Sequence, residues 1–188
     1  MRSLAVPASL QSAQIRFFAD YWNALRGDRL MPSRADIDPG DLKPILANLA
    51  ILEVQAPDRS IFRLCGTGLS RLLGFEATGR NYIDLMPEWQ RRRRGYQAWS
   101  AVRHPCGAAL VRKMVFPYGG EDILEALACP VMPKTPDALP QLIGVLVSRS
   151  KREWVNRVQE PGLSEADEVG FVDIGAGIPS MLPPDDWP

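Results

Sequence analysis

The chain has 188 residues, is 46% hydrophobic and balances 22 Lys and Arg against 22 Asp and Glu. Its length and apolar content suit one soluble domain of ordinary size with extensions, and zero net charge supplies no field that would draw nucleic acid or an anionic membrane. No stretch approaches the roughly 18 apolar residues of a membrane span, the start MRSLAVPASLQSAQIRFF lacks the apolar core of a secretory signal, and Cys65, Cys106 and Cys129 form no CxxC pair, so we expect a cytoplasmic protein with reduced thiols.

The charges are unevenly placed. From Gln159 to Pro188 there are seven acidic residues and no Lys or Arg, which leaves 22 basic against 15 acidic residues before it, a net +7. At the other end, Ala8 to Arg26 puts Leu10, Gln14, Phe17, Phe18, Tyr21 and Leu25 on one stripe, with Ile15 and Trp22 at its edge. That spacing predicts an amphipathic helix, which Gly27 ends. So wide an aromatic stripe must be buried, against this domain or a second copy of it. Phe17, Phe18, Tyr21, Trp22 and Leu25 are therefore the candidate anchors of a homodimer interface, and packing on the chain's own sheet is the alternative. MPSRADIDP (Met31 to Pro39) reads as a connector in which Asp36 and Asp38 accept hydrogen bonds from free backbone amides and Pro39 opens a short helix.

Leu49 to Gln55 and Ser60 to Cys65 are two short strands around the turn Ala-Pro-Asp-Arg, an antiparallel hairpin. RLCGTGLSRLLGFEATGR (Arg63 to Arg80) then breaks from strand into short helical segments. Pro87 to His104 brings Trp89, Tyr96, Trp99 and Val102 to one side of a helix and most of Arg91 to Arg94 to the other, with Gly95 weakening it and Pro105 ending it. Three strands follow, Ala108 to Phe116, Ile123 to Met132 and Gln141 to Ser148, linked by Tyr118-Gly-Gly and by PKTPDALP. The order predicts an α+β fold: a five-stranded antiparallel sheet with helices inserted between strands 2 and 3, plus the N-terminal helix. Leu124, Ala126 and Ala128 lie on one face of the fourth strand and Ile123, Leu127 and Cys129 on the other. A sheet apolar on both faces is covered on both, by the inserted helices and by the N-terminal stripe. We divide the chain into an N-terminal helix (1–27), a domain (28–150) and an acidic, poorly ordered tail (151–188).

That element order, with MPSRADIDP, FRLCGTGL (Phe62 to Leu69) and LGFEATGR (Leu73 to Arg80), resembles a bacterial family of small stand-alone PAS-domain proteins. The three motifs stand in the family's order, and the resemblance covers roughly Phe17 to Ser150. It implies a sensing or interaction domain in bacterial signalling with no enzymatic residues to carry over.

The glycines around Gly66 and Gly74 invite comparison with phosphate loops, which fails at chemically necessary positions. From Gly66 and Gly68 the third glycine of a dinucleotide fingerprint is replaced by Arg71, and after Gly74 to Gly79 a Walker loop's Lys and hydroxyl are replaced by Arg80 and Asn81. Arg91 to Arg94 spans a full helical turn, so it cannot face one ligand; it reads as a solvated face whose charge complements the acidic tail. His104, the single histidine, reads as a helix C-terminal cap, and Cys129-Pro130 lies inside a strand, so we expect neither haem nor flavin nor metal. Asp36 with Asp38, and Glu121 with Asp122, each have a capping or turn role, and no catalytic residue is assigned. If sheet and insert enclose a pocket for a small ligand, its candidate lining is Leu69, Leu72, Tyr82, Met86, Trp99, Met114, Leu124 and Val145. The alternative function is a ligand-free dimeric adaptor built on the N-terminal helix. Either reading needs a signalling protein as partner and involves neither nucleic acid nor membrane insertion.

Overall fold

The computed structural model describes residues 4–115, 121–135, 137–150 and 168–187. In chain order these form helix α1 (Ala13–Arg26), strands β1 (Leu49–Ala56) and β2 (Arg59–Cys65), helices α2 (Thr67–Leu73) and α3 (Glu88–Arg103), then strands β3 (Gly107–Val115), β4 (Glu121–Val131), β5 (Gln141–Ser148) and β6 (Glu168–Val172). The strands make one antiparallel sheet in the order β2-β1-β5-β4-β3-β6. The architecture is the α+β arrangement expected, with six strands rather than five. The sixth comes from the acidic segment placed after the domain: Gly170 and Val172 alternate with Val169 and Phe171, and β6 pairs along the free edge of β3. An apolar alternation of only five residues inside an acidic stretch is too short to stand out in sequence, and the edge it satisfies exists only once β3 is in a sheet.

One face of the sheet is sealed by α1. Ile15, Phe18, Ala19 and Trp22 pack on Ile51, Leu127, Cys129, Ile143, Val145 and Val172, a continuous core whose central strand residues are at most 5% exposed. Two polar contacts set the helix on this face. The Trp22 indole N–H donates to the Pro130 carbonyl at 3.1 Å. At the other end the Glu125 carboxylate, fully buried in mid-strand, accepts the backbone N–H groups of Gln11 and Ser12 at 2.9 and 2.8 Å and pairs with the Arg149 guanidinium, which also donates to the Ser9 carbonyl. A negative charge at the start of a helix complements its dipole, and here the same charge fastens α1 to β4 and to the end of β5.

The stripe proposed as a dimer interface is thus largely spent inside the chain. Phe18 and Trp22 are core, Tyr21 and Leu25 pack against it, and Phe17 alone is exposed, at 37%. The opposite face is covered by the insert. Ala98, Ala101, Trp99 and Val102 of α3 pack on Leu52, Val54 and Leu142, while Leu69 of α2 packs with Phe62, Cys65 and Ala77. Gly95 lets α3 approach the β1–β2 turn, because a Cβ there would lie 2.0 Å from the Pro57 carbonyl oxygen.

Removing a partner from a buried ion pair strands the other charge and costs about 3–5 kcal/mol. Glu125→Ala should lower the urea-unfolding free energy on that scale, and an unchanged midpoint would mean that this carboxylate does not anchor α1.

Candidate functional site

The two faces of the sheet are not sealed equally. Leu127, Cys129, Ile143 and Val145, under α1, are at most 2% exposed. On the other face the register lines up Ala50, Gly144, Ala128 and Ala108 across four neighbouring strands. Beside them lie Leu146, Ala126 and Leu110, and of these two rows only Gly144 is fully buried. This Ala and Gly floor carries little side-chain volume, and the elements inserted on its side of the sheet are α2, α3 and the turn at Ile83–Leu85. The rim carries aromatic groups: Phe62 and Tyr82 meet edge-to-face with centroids 6.1 Å apart, and Arg103 stacks on Trp99 at 4.4 Å.

Most of the expected lining belongs to this compartment. Leu69 and Tyr82 pack with Phe62, Trp99 packs with the α3 cluster, Leu72 and Met86 are half-buried in the insert, and Leu124 is buried on this face of β4 in register with Arg112 and Ser148. Met114 lies in β3 opposite Asp122, and its side chain is outside the described residues. Val145 does not belong: it shares its face with Ile143 and Val147 and is core under α1. The error is one of parity, since neighbours on a strand point to opposite faces. The floor itself, Ala50, Ala108, Ala126, Ala128 and Gly144, was missed because small residues carry no apolar signal, yet alternation in β4 and β5 places Ala126, Ala128 and Gly144.

Each of the three motifs has a structural role. Gly66 passes the 3₁₀ turn Leu46–Asn48 so closely that a Cβ would lie 2.4 Å from the Leu46 and Ala47 carbonyl oxygens. It serves close approach rather than a turn or a phosphate. In LGFEATGR, Thr78 accepts the Cys65 N–H, Gly79 and Arg80 bond the backbone of Phe62, and Arg80 lies over Phe75 at 4.6 Å. In MPSRADIDP, Ser33 and Asp36 form a reciprocal cap and Asp38 accepts the Gly40 N–H. A family profile for the PAS domain matches residues 10–147, which contain all three motifs.

The chain belongs to the PAS-domain family. No curated protein sequence matches it. Among solved structures it is similar to a LOV protein of Rhodobacter sphaeroides (15% identity, TM-score 0.40, covering 61% of this chain and 70% of that one). It is also similar to a PAS domain from Colwellia psychrerythraea (16%, 0.40, 61% and 100%). An RNA-binding light-oxygen-voltage receptor matches over 58% of this chain and 32% of its own (20%, 0.41). Family membership rests on the profile.

The arginine run of this PAS domain separates into individual roles. Arg91 donates to the Asp84 and Met86 carbonyls, Arg93 is exposed, and Arg94 is buried rather than solvated. Arg92 does meet the C-terminal segment, but through backbone: it donates to the carbonyls of Pro184, Asp185 and Trp187 at 2.8–3.1 Å, while Trp187 lies edge-on to Tyr96 with centroids 5.0 Å apart. The chain after β6 is held further back by Arg26, which donates to the Ile174 carbonyl at 2.7 Å. Residues 174–187 therefore strap along α3. Beside Trp187 an open cleft of about 610 Å³ runs between α3 and the β1–β2 turn, lined by charges of both signs, including Arg59, Arg91, Asp58 and Glu88. Its lining includes Ile83 and none of the Ala/Gly floor. Because the strap's acceptors are carbonyls, Arg92→Ala should speed hydrogen exchange at residues 182–187 without affecting the central strands, and added salt alone should not. Unchanged exchange in the variant would mean that Arg92 does not hold the strap.

Other candidate chemistry resolves into structure. His104 caps α3, its N–H donating to the Ser100 carbonyl. Arg29 and the Ser33 N–H hold the Asp36 carboxyl below its ordinary range, and Arg63 does the same for Glu53. Among the described residues no group of three or more His, Cys, Asp or Glu is placed to hold a metal, and no helix is long and apolar enough to cross a membrane. Burial raises all three thiols, Cys106 to about 12. At pH 8 a disulfide reagent should thus find none of them in the native protein and all three after unfolding. Rapid native labelling would reveal a reactive thiolate that this arrangement does not predict.

Proposed function

We propose that this PAS domain is a non-enzymatic sensor that takes a small ligand in the compartment between the inserted helices and the Ala/Gly floor, and passes on its occupancy through association with a signalling protein. The observation that carries this reading is the inequality of the faces. Leu127, Cys129, Ile143 and Val145 under α1 are closed to solvent, whereas Ala50, Ala108, Ala126 and Ala128 on the other face are only partly buried. Small side chains on the sheet beneath α2, α3 and the Ile83–Leu85 turn would form a concave, mostly apolar site of the kind that small molecules occupy. The walls, α2 and the Ile83–Leu85 turn, are short and loop-linked, so they are the elements able to adjust when the compartment fills.

Haem, flavin, nucleic acid and catalysis have no place in the proposal, which situates the protein in the bacterial cytoplasm. Homodimerisation, where it occurs, has to use surface other than Phe18 and Trp22, with Phe17 the one exposed aromatic of the stripe. The adaptor alternative therefore loses the anchors it was built on.

Native mass spectrometry of protein purified without added ligand, with an absorption spectrum, tests the reading. A stoichiometric extra mass, absent from an Ala128→Phe variant that unfolds as cooperatively as the parent, is the expected result. A parent that is empty and gains no thermal stability from any member of a metabolite library would overturn it.

A further inference from the structure

The sheet-facing side of α3 carries a buried charge that pairs with no carboxylate among the described residues. On α3, Gln90, Arg94, Gln97 and Ala101 stand at i, i+4, i+7 and i+11, one stripe of the helix, and Ala101 sits at zero exposure in the cluster with Val54, Cys106 and Leu142. The stripe therefore faces the sheet. Arg94 is only 8% exposed and Gln97 only 6%. The guanidinium donates through Nη1 to Gln97 Oε1 at 3.0 Å and through Nε to Gln90 Oε1 at 3.4 Å. Among the described residues no carboxylate pairs with it. Because Arg can only donate, the carboxamide of Gln97 must turn its oxygen toward Arg94, and its Nε2 is left buried with no acceptor. Ser60, cross-strand from Val54 and wholly buried, likewise has an unpartnered hydroxyl.

Buried cations are normally met by an anion, and buried donors by an acceptor. Here, among the described residues, the donors outnumber the acceptors and no carboxylate pairs with the charge, which is the reverse of what a purely structural network would have. We infer that Arg94 and Gln97 read the carboxylate of a small organic acid bound in the compartment, with Ser60 a further partner. The planar fork of Arg94 and the adjacent amide N–H match the two oxygens of a carboxylate. The inference rests on the proposed ligand compartment and adds the chemical class of its occupant.

The test measures thermal shifts of the full chain with succinate, citrate and benzoate, with the neutral amides succinamide and benzamide, and with indole as an apolar probe. We expect at least one acid to stabilise the protein in a saturable way while its amide does not. In Arg94→Gln its affinity should fall about 10- to 100-fold, as loss of a charged hydrogen-bonding group implies, and in Gln97→Leu by less. Since the empty site buries an unpaired charge, Arg94→Gln should also be no less stable than the parent without ligand. An acid whose binding survives Arg94→Gln, or an Arg94→Gln variant that is destabilised and still shifted by the acid as the parent is, would overturn the inference. Binding of indole alone, blocked by Ala128→Phe, would overturn it and leave the ligand compartment standing. Binding of none of the probes would count against both.

Discussion

The central constraint on this protein is a sheet that is apolar on both faces, so neither can be left to water. Burying apolar area is worth about 25 cal/mol per Å², and on the first face Phe18 and Trp22 of α1 join Leu10, Ile37, Leu42 and Ile45 in one core with Leu127, Ile143 and Val145. Polar contacts then fix where that helix can lie. The Trp22 N–H has one acceptor, Pro130, and the helix start has one buried anion, Glu125. Hydrophobic burial drives the docking, and these bonds choose the position.

α1 covers the first face, and the other is left to several separate elements. α2, α3 and the turns between them cover it unevenly, burying Leu69 and Ala101 fully and Ala50, Ala108 and Ala128 only in part. The compartment is thus a consequence of how the covering is divided. α3 links it to the rest of the fold: its inward stripe carries Gln90, Arg94 and Gln97, its outer side holds the C-terminal strap through Arg92 and Tyr96, and Gly95 presses it onto the β1–β2 turn. A change inside the compartment and a change at the strap therefore act on one helix from two sides.

Much of this was legible in the residues because it depends on local spacing. The strand pairs around Pro57-Asp58, the helix from Glu88 to Arg103, the capping by Asp36 and Asp38 and the assignment of α1 to one face all follow from periodicity and turn chemistry. What escaped depends on partners distant in sequence. Arg94 looks like its neighbours Arg91 to Arg93, and its burial is decided by which face of α3 meets the sheet. Val145 looks as apolar as Leu146, and only register separates them. β6 needs the edge of β3 to exist before its few residues can pair.

The sequence by itself determined the α+β order, the PAS family through its three ordered motifs, and the need for cover on both sheet faces, since these are set by alternation and turn-forming residues within short windows. Only the tertiary structure decided that Phe18 and Trp22 of α1 are spent within the chain, that the acidic segment adds a strand and a strap, and that one arginine of four is enclosed with no carboxylate beside it among the described residues. Those outcomes turn on which surfaces meet across distant parts of the chain, and composition and spacing do not carry that information.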